Sequence, residues 1–194
     1  MGVGVEDLLA DELRIHGVVT RPASSQRWLT ARGHLNTTVL GHAPGAVIDA
    51  LDGLHRALGG DHHRLASLPD APLPPGLCLE NDQLVAVDDI EHFTCERLAT
   101  FGHYPTSTPI GFNVESYRQL IGAWHRHTEG TMELCHLHDF VGPGRSRARR
   151  AYEDALRDLL TPVFTGAPLL RVVWPGHDPA LTAAELTRRV AVVA

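Results

Sequence analysis

The sequence predicts an α/β fold in which a small mixed β-sheet is flanked by helices. Residues 4–16 carry apolar side chains at helical spacing, and Gly17 ends the pattern. Two short apolar segments, Leu77–Leu79 and Leu84–Val87, follow as a pair of strands joined by a tight turn. A further apolar strand over Pro168–Trp174 comes only after several helices. This order of helix, strands, helices and one more strand is typical of a layered α/β architecture.

The segments before the strand pair are predicted to elaborate this fold. In chain order they are irregular chain at 18–34, a short strand at Leu35–Leu40, an amphipathic helix at Ala46–Leu58 and a proline-rich loop at 61–76. With 194 residues, the chain fits a single domain over 1–194, in which 18–75 form a helical and loop elaboration.

Helical patterns dominate the chain after the strand pair. We predict helices at Phe93–Phe101, Val114–His127, Arg147–Leu160 and Thr182–Val193. The third of these is expected to end before Pro162, because proline removes a backbone donor and clashes with the preceding turn.

Composition is that of an ordinary globular protein. Hydrophobic residues make up 43% and charged residues 21%, and no apolar stretch approaches the length of a membrane span. The first residues predict an amphipathic helix rather than a secretion signal. Three widely spaced cysteines, Cys78, Cys95 and Cys135, make a disulfide framework improbable and predict a reducing, cytoplasmic location. Homo-oligomer formation stays open.

The charge pattern bears on nucleic-acid binding. The net charge of −6 disfavours nonspecific coating of DNA. All 17 basic residues are arginine. Four arginines nevertheless fall within six residues at the start of a predicted helix, where backbone amides attract phosphate: Arg145, Arg147, Arg149 and Arg150. This run is a candidate DNA contact, and a solvated charged helix face is the alternative.

The most informative segment is Val85–Pro105. Its strand runs directly into four ionisable residues, Asp88, Asp89, Glu91 and His92. Unpaired buried charges are costly, so these side chains are poor core material. Divalent cations such as Mg²⁺ prefer hard carboxylate oxygens held on a stiff element. The segment therefore predicts a divalent-cation site at the end of a strand.

Two stretches of the chain resemble a known protein family. The first reads Val-Asp-Asp-Ile-Glu-His-Phe-Thr over residues 87–94, and the second is Ala-Tyr-Glu-Asp-Ala-Leu-Arg-Asp over 151–158. Further matching positions are Arg97, Leu98, Tyr104-Pro105, Gly166, Pro168 and 170–172. Together they resemble an uncharacterised bacterial family with an E-V-D-E-x-Q-H-F-T motif. The first motif is also similar to the very-short-patch-repair endonuclease branch of the PD-(D/E)XK nuclease superfamily.

The resemblance implies a PD-(D/E)XK nuclease-like fold and an endonuclease-like, metal-dependent DNA phosphodiester hydrolase that uses Mg²⁺ or Mn²⁺. Asp88 falls on the family's metal-binding acid, and Asp89 stands where many relatives have glutamate. His92 falls on a histidine that acts in acid/base chemistry or orients the phosphate. Glu91, in place of a more usual glutamine, completes the catalytic candidates. Arg97, one turn into the next helix, is predicted either to contact phosphate or to form an ion pair.

Two acids that the resemblance leads us to expect are missing. Ala86 stands where the pattern has glutamate, and Gly76 stands near an expected acid that follows a proline. Glu80 or Asp82, on the preceding strand and turn, would have to replace them as metal ligands. On the first helix, Glu12 has the best reach toward the metal, and an ordinary charged helix surface is the commoner explanation for it.

A separate candidate metal site would bind Zn²⁺. Cys135, His136 and His138 lie close together in sequence, and thiolate and imidazole are zinc ligands. His125 and His127 lie nearby, but residues two apart on a helix point in different directions.

Three functions are therefore consistent with the sequence. The first is a metal-dependent endonuclease with a migrated active site. The second is a catalytically inactive nuclease fold that serves as a nucleic-acid- or protein-binding module. The third is a metal-dependent enzyme that acts on a small molecule in the same pocket.

Overall fold

Four short strands form one mixed sheet in the computed structural model, which describes residues 5–128, 139–140, 144–174 and 182–188. The strands are β1 (Thr20–Pro22), β2 (Leu77–Leu79), β3 (Leu84–Asp88) and β4 (Leu170–Val173). β1, β2 and β3 pair antiparallel in chain order, and β4 lies parallel to β3 at the other edge. The predicted class, a small mixed sheet flanked by helices, is confirmed.

Helices surround this sheet. They are α1 (Val5–Ile15), α2 (Thr37–Leu40), α3 (Gly45–Ala57), α4 (His62–Ser67), α5 (Cys95–Thr100), α6 (Val114–Thr128), α7 (Arg145–Thr165) and α8, which covers 182–188. Two 3-10 turns, Gly33–Leu35 and Ile90–His92, lie between them. No helix in the described ranges combines the length and the apolar character needed to cross a bilayer.

The two faces of the sheet differ in character because side chains alternate along a strand. On one face, Val85 and Val172 pack with Leu9 and Leu13 of α1 and with Leu186 of α8. That face is an apolar core.

The opposite face meets α7 and is partly polar. Leu84 belongs to the same core cluster as Leu156 and Leu159 of α7. The period of two places Ala86 and Asp88 on the same side as Leu84. The sheet thus directs a carboxylate from its end toward the long helix.

Two predicted elements were wrong, and one strand was missed. Leu35–Leu40 is not a strand: it contains the end of a 3-10 turn and the short helix α2. β1 was missed because Thr-Arg-Pro shows no alternation of apolar and polar residues. A strand can contain this proline because β1 lies at the edge of the sheet. The predicted loop at 61–76 contains α4, whose N-terminus is capped by the Asp61 side chain.

α7 is longer than the sequence predicts. It continues past Pro162 and ends at Gly166, which adopts a left-handed conformation. Proline removes a hydrogen bond to the carbonyl one turn earlier and crowds that turn, and burial of the helix against the sheet and α3 outweighs this cost.

The backbone conformation directly before β2 requires glycine at position 76. Its φ is +88°, and a Cβ at this position would lie 2.4 Å from the carbonyl oxygen of Val85. We therefore expect Gly76→Ala to lower the free energy of unfolding by about 2 kcal/mol or more, since it adds left-handed strain and a backbone clash. Urea denaturation measures the change.

Gly122→Ala is the matched control. Gly122 lies in α6 with open space around the Cβ position, so alanine should stabilise the protein by about 0.5–1 kcal/mol. Equal stability of wild type and Gly76→Ala would show that the segment before β2 relaxes freely.

Candidate functional site

The acid expected to bind metal, Asp88, is buried and already paired. It ends β3 and has no exposed surface. Arg171 of β4 donates from Nη1 to Asp88 Oδ1 at 2.5 Å. The Tyr117 hydroxyl of α6 donates to Asp88 Oδ2 at 3.0 Å. Both carboxylate oxygens therefore accept hydrogen bonds from protein groups.

Arg171 contacts three carboxylates at once. Besides Asp88, its Nη2 lies 3.1 Å from Asp154 Oδ1 and its Nε lies 2.7 Å from Asp158 Oδ1. Asp154 and Asp158 are one turn apart on α7, so they present their side chains on the same face of the helix. Arg171 thereby ties the sheet to α7.

A second buried arginine extends these contacts. Arg97 of α5 donates from Nη2 to Asp158 Oδ2 at 2.5 Å and from Nη1 to the Tyr104 hydroxyl at 2.7 Å. Tyr104 in turn donates to Asp158 Oδ2 at 2.6 Å. We call the whole group the Arg171 network: Asp88, His92, Arg97, Tyr104, Tyr117, Asp154, Asp158 and Arg171.

Charge balance explains why these groups tolerate burial. Burial by itself raises the pKa of the Asp154 and Asp158 carboxyls, but neighbouring cations hold both below their ordinary values. His92 and Arg171 act on Asp154, and Arg171 and Arg97 act on Asp158. Arg157 also lies 3.7 Å from Asp154, so three guanidinium groups face the three carboxylates, and His92 adds a further partner for Asp154.

His92 sits where the Arg171 network meets solvent. Its Nδ1 lies 2.8 Å from Asp154 Oδ2 and 3.5 Å from Asp88 Oδ1. Burial, the largest single influence, lowers the pKa of His92, but Asp154 and Asp88 together raise it above its ordinary value. The two carboxylates therefore favour the imidazolium form of His92.

A cavity of about 210 Å³ opens in front of His92. Its lining includes Gly76, Ala86, Asp88, His92, Glu6, Glu153, Asp154, Arg150 and Arg157. The two positions at which the resemblance leads us to expect acids, 76 and 86, thus border the same cavity as Asp88. From α1 it is Glu6, not the predicted Glu12, that lines this cavity, while Glu12 lies 3.8 Å from His16.

The groups at this cavity do not fit Mg²⁺ or Mn²⁺ as they stand. Asp88, His92 and Asp154 each offer a ligand atom, and these atoms lie within 4.8 Å of one another. However, the Arg171 guanidinium bonds to both carboxylates. A cation there would lie against a fixed positive charge, and hard cations need free carboxylate oxygens.

The other acids predicted for this site are engaged elsewhere. Asp89 accepts from the Glu91 backbone and caps the 3-10 turn. Glu91 pairs with Arg150 at 2.6 Å, at the surface. Glu80, predicted as a replacement metal ligand, lies in the turn before β3, so at least the length of that strand, about 13 Å, separates it from Asp88.

The arginines predicted to contact DNA are largely paired with acids. Of the two alternatives predicted for Arg97, the structure shows the ion pair: the side chain is fully buried and bonds to Asp158. Arg149 is also buried and bonds to Asp139 and Glu153.

The remaining arginines of the run are half-buried. Arg147 pairs with Glu96 and Arg150 with Glu91, while Arg145 has contacts of its own. The start of α7 is therefore not an open basic surface. The zinc ligands proposed at Cys135, His136 and His138 lie outside the described residues.

Sequence analysis assigned no role to Arg171, Asp154, Asp158 or Tyr117. The signals that mark three of them are a single arginine inside the apolar strand Leu-Leu-Arg-Val-Val and two aspartates one turn apart on a buried helix. A charged residue among apolar ones in the strand, and two in the helix, indicate that the arginine pairs with the aspartates.

Comparisons with protein-family models, curated proteins and solved structures each find no match. Conclusions about activity therefore rest on the residues and their geometry.

Removing the central arginine should be costly. Arg171→Met leaves three buried carboxylates without their shared partner, and we expect about 3–5 kcal/mol lower stability to urea. Arg150→Met, which removes a half-exposed pair with Glu91, should cost less than about 1 kcal/mol. Similar losses in the two variants would mean that the Arg171 network is not a buried ionic unit.

His92 should make stability depend on pH. Its folded-state pKa is raised, so its stabilisation is fully present below the unfolded pKa of about 6.5 and is lost as pH rises through the folded pKa. The free energy of unfolding of wild type should therefore exceed that of His92→Gln by more at acidic pH than at alkaline pH. Paired urea titrations measure it, and a pH-independent difference would contradict a charged His92.

Proposed function

We propose that this protein is a nuclease-like fold that does not hydrolyse phosphodiesters and instead serves as a binding module. The observation that carries this proposal is that both carboxylate oxygens of Asp88 already accept hydrogen bonds from the protein. One accepts from Arg171 and the other from Tyr117. A metal-dependent hydrolase needs carboxylates that are free to hold the cation and to lower the pKa of its bound water.

The missing acids support the same proposal. Gly76 and Ala86 both line the cavity in front of Asp88. At Gly76, the close approach of the Val85 carbonyl and the left-handed backbone leave no room for an acidic side chain. The backbone conformation at Gly76 therefore excludes an acidic side chain, and a single substitution to Asp or Glu cannot supply the missing metal ligand.

The charge distribution favours a protein partner over DNA. The net charge is −6, and Arg147, Arg149 and Arg150 are each paired with an acid. Phosphate contacts require basic side chains that can release counterions. Arginines that are already neutralised contribute little of this driving force.

A plasmid assay tests the proposal. Supercoiled and single-stranded DNA are incubated with purified protein in Mg²⁺, Mn²⁺ or EDTA, and binding to a labelled duplex is followed by anisotropy at two salt concentrations. We expect neither metal-dependent cleavage nor a steep salt-dependent affinity. Metal-dependent nicking that is lost in both Asp88→Asn and His92→Gln would refute the inactive-fold proposal. Tight, salt-dependent binding of DNA without cleavage would mean that the partner of this binding module is DNA rather than a protein.

A metal-dependent phosphodiester hydrolase is the second candidate. The clustering of ligand atoms from Asp88, His92 and Asp154 favours it. It requires the Arg171 side chain to leave these carboxylates before a cation binds. Nicking in the assay above would select this candidate.

A further inference from the structure

A second cluster of histidine and carboxylate side chains lies away from the Arg171 network. His34 belongs to the first 3-10 turn, Asp52 to α3, and His62 is the first residue of α4. One ligand atom from each lies within 4.8 Å of the other two. Three separate elements therefore converge on one point.

The two imidazoles direct their Nε2 atoms toward that point. His34 Nε2 lies 3.4 Å and His62 Nε2 lies 2.6 Å from the same oxygen of Asp52. Both nitrogens are shielded from solvent, and the Asp52 carboxylate is the described group that they face. His34 is only 2% exposed, so bulk water does not reach its ring.

The surrounding residues hold the ligands in position. His34 Nδ1 lies 2.7 Å from the Tyr152 hydroxyl, which fixes the ring and leaves Nε2 facing the cluster. Gly33 permits this contact, because a Cβ there would lie 2.1 Å from the Tyr152 oxygen. Arg56 pairs with the second oxygen of Asp52 and leaves the first oriented toward the histidines.

His55 closes the buried side of the cluster. Its ring centroid lies 5.6 Å from that of His34 and 5.4 Å from that of His62. Burial, followed by the charge of His55, lowers the pKa of His34 to about 4. The His34 ring is therefore neutral at pH 7, which is the form that binds metal.

The spacing suits a tetrahedral ion. Zinc–ligand bonds of about 2.0–2.2 Å place neighbouring ligand atoms about 3.3 Å apart. The His34–Asp52 separation of 3.4 Å already has this value. The closer His62 is 40% exposed and has room to move outward.

We propose that His34, Asp52 and His62 form a binding site for Zn²⁺ or a similar divalent transition metal. Two imidazoles and one carboxylate suit these ions, whereas Mg²⁺ and Ca²⁺ prefer oxygen ligands throughout. The ion joins α3, α4 and the 3-10 turn, and through Tyr152 it connects them to α7. This site is independent of the proposed binding function and of the Arg171 network.

Zinc binding by the full-length protein tests the site. Protein stripped with a chelator is titrated with Zn²⁺ against a chromophoric chelator, and Co²⁺ absorption reports the ligand geometry. The test variant is His62→Ala, and the control is His63→Ala, the exposed neighbour of His62 on the same helix. Asp52→Asn, an isosteric change on α3, is a second test variant.

We expect His62→Ala and Asp52→Asn to weaken Zn²⁺ binding at least tenfold and to abolish the rise in Tm that Zn²⁺ produces. His63→Ala should behave like wild type. Equal binding by wild type, His62→Ala and Asp52→Asn, whether tight or undetectable, would overturn the proposal. Loss of binding in Cys135→Ser alone would overturn it too, because the ion would then lie elsewhere.

Discussion

The structure around the candidate site depends on the contact of one guanidinium group with three carboxylates. Arg171 bonds to Asp88 at the end of β3 and to Asp154 and Asp158 on α7. Its five N–H donors lie in a fixed fork that matches carboxylate geometry, so it orients several acids at once. Because all four groups are buried, each is costly to leave without its partners.

This interaction decides what the strand-end acids can do. A carboxylate that neutralises a buried arginine is not free to hold a cation, and this is why we propose a structural role for Asp88. The solvent-facing His92 contacts Asp154 and Asp88 from the cavity side. The cavity in front of it bears glycine and alanine at the two positions where the family resemblance leads us to expect acids. These features together support the proposed binding role.

The sequence predicts the sheet's central hairpin and the long helix α7 well, because their apolar patterns are strong and local. It does not predict the partner of Asp88, since Arg171 lies 83 residues away and only the parallel pairing of β3 with β4 brings them together. β1 was missed because Thr-Arg-Pro pairs through its backbone and carries no pattern. The His34–Asp52–His62 cluster was also missed: its residues come from three short elements, and the spacing between them shows no metal motif.

The most direct test of the account is anomalous diffraction from crystals of the protein soaked in Mn²⁺. The account predicts that Arg171 stays bonded to Asp88 and Asp154 and that no manganese peak lies between these carboxylates and His92. A manganese peak at that point, with the Arg171 side chain displaced, would contradict it and would show a metal site that opens when the cation binds.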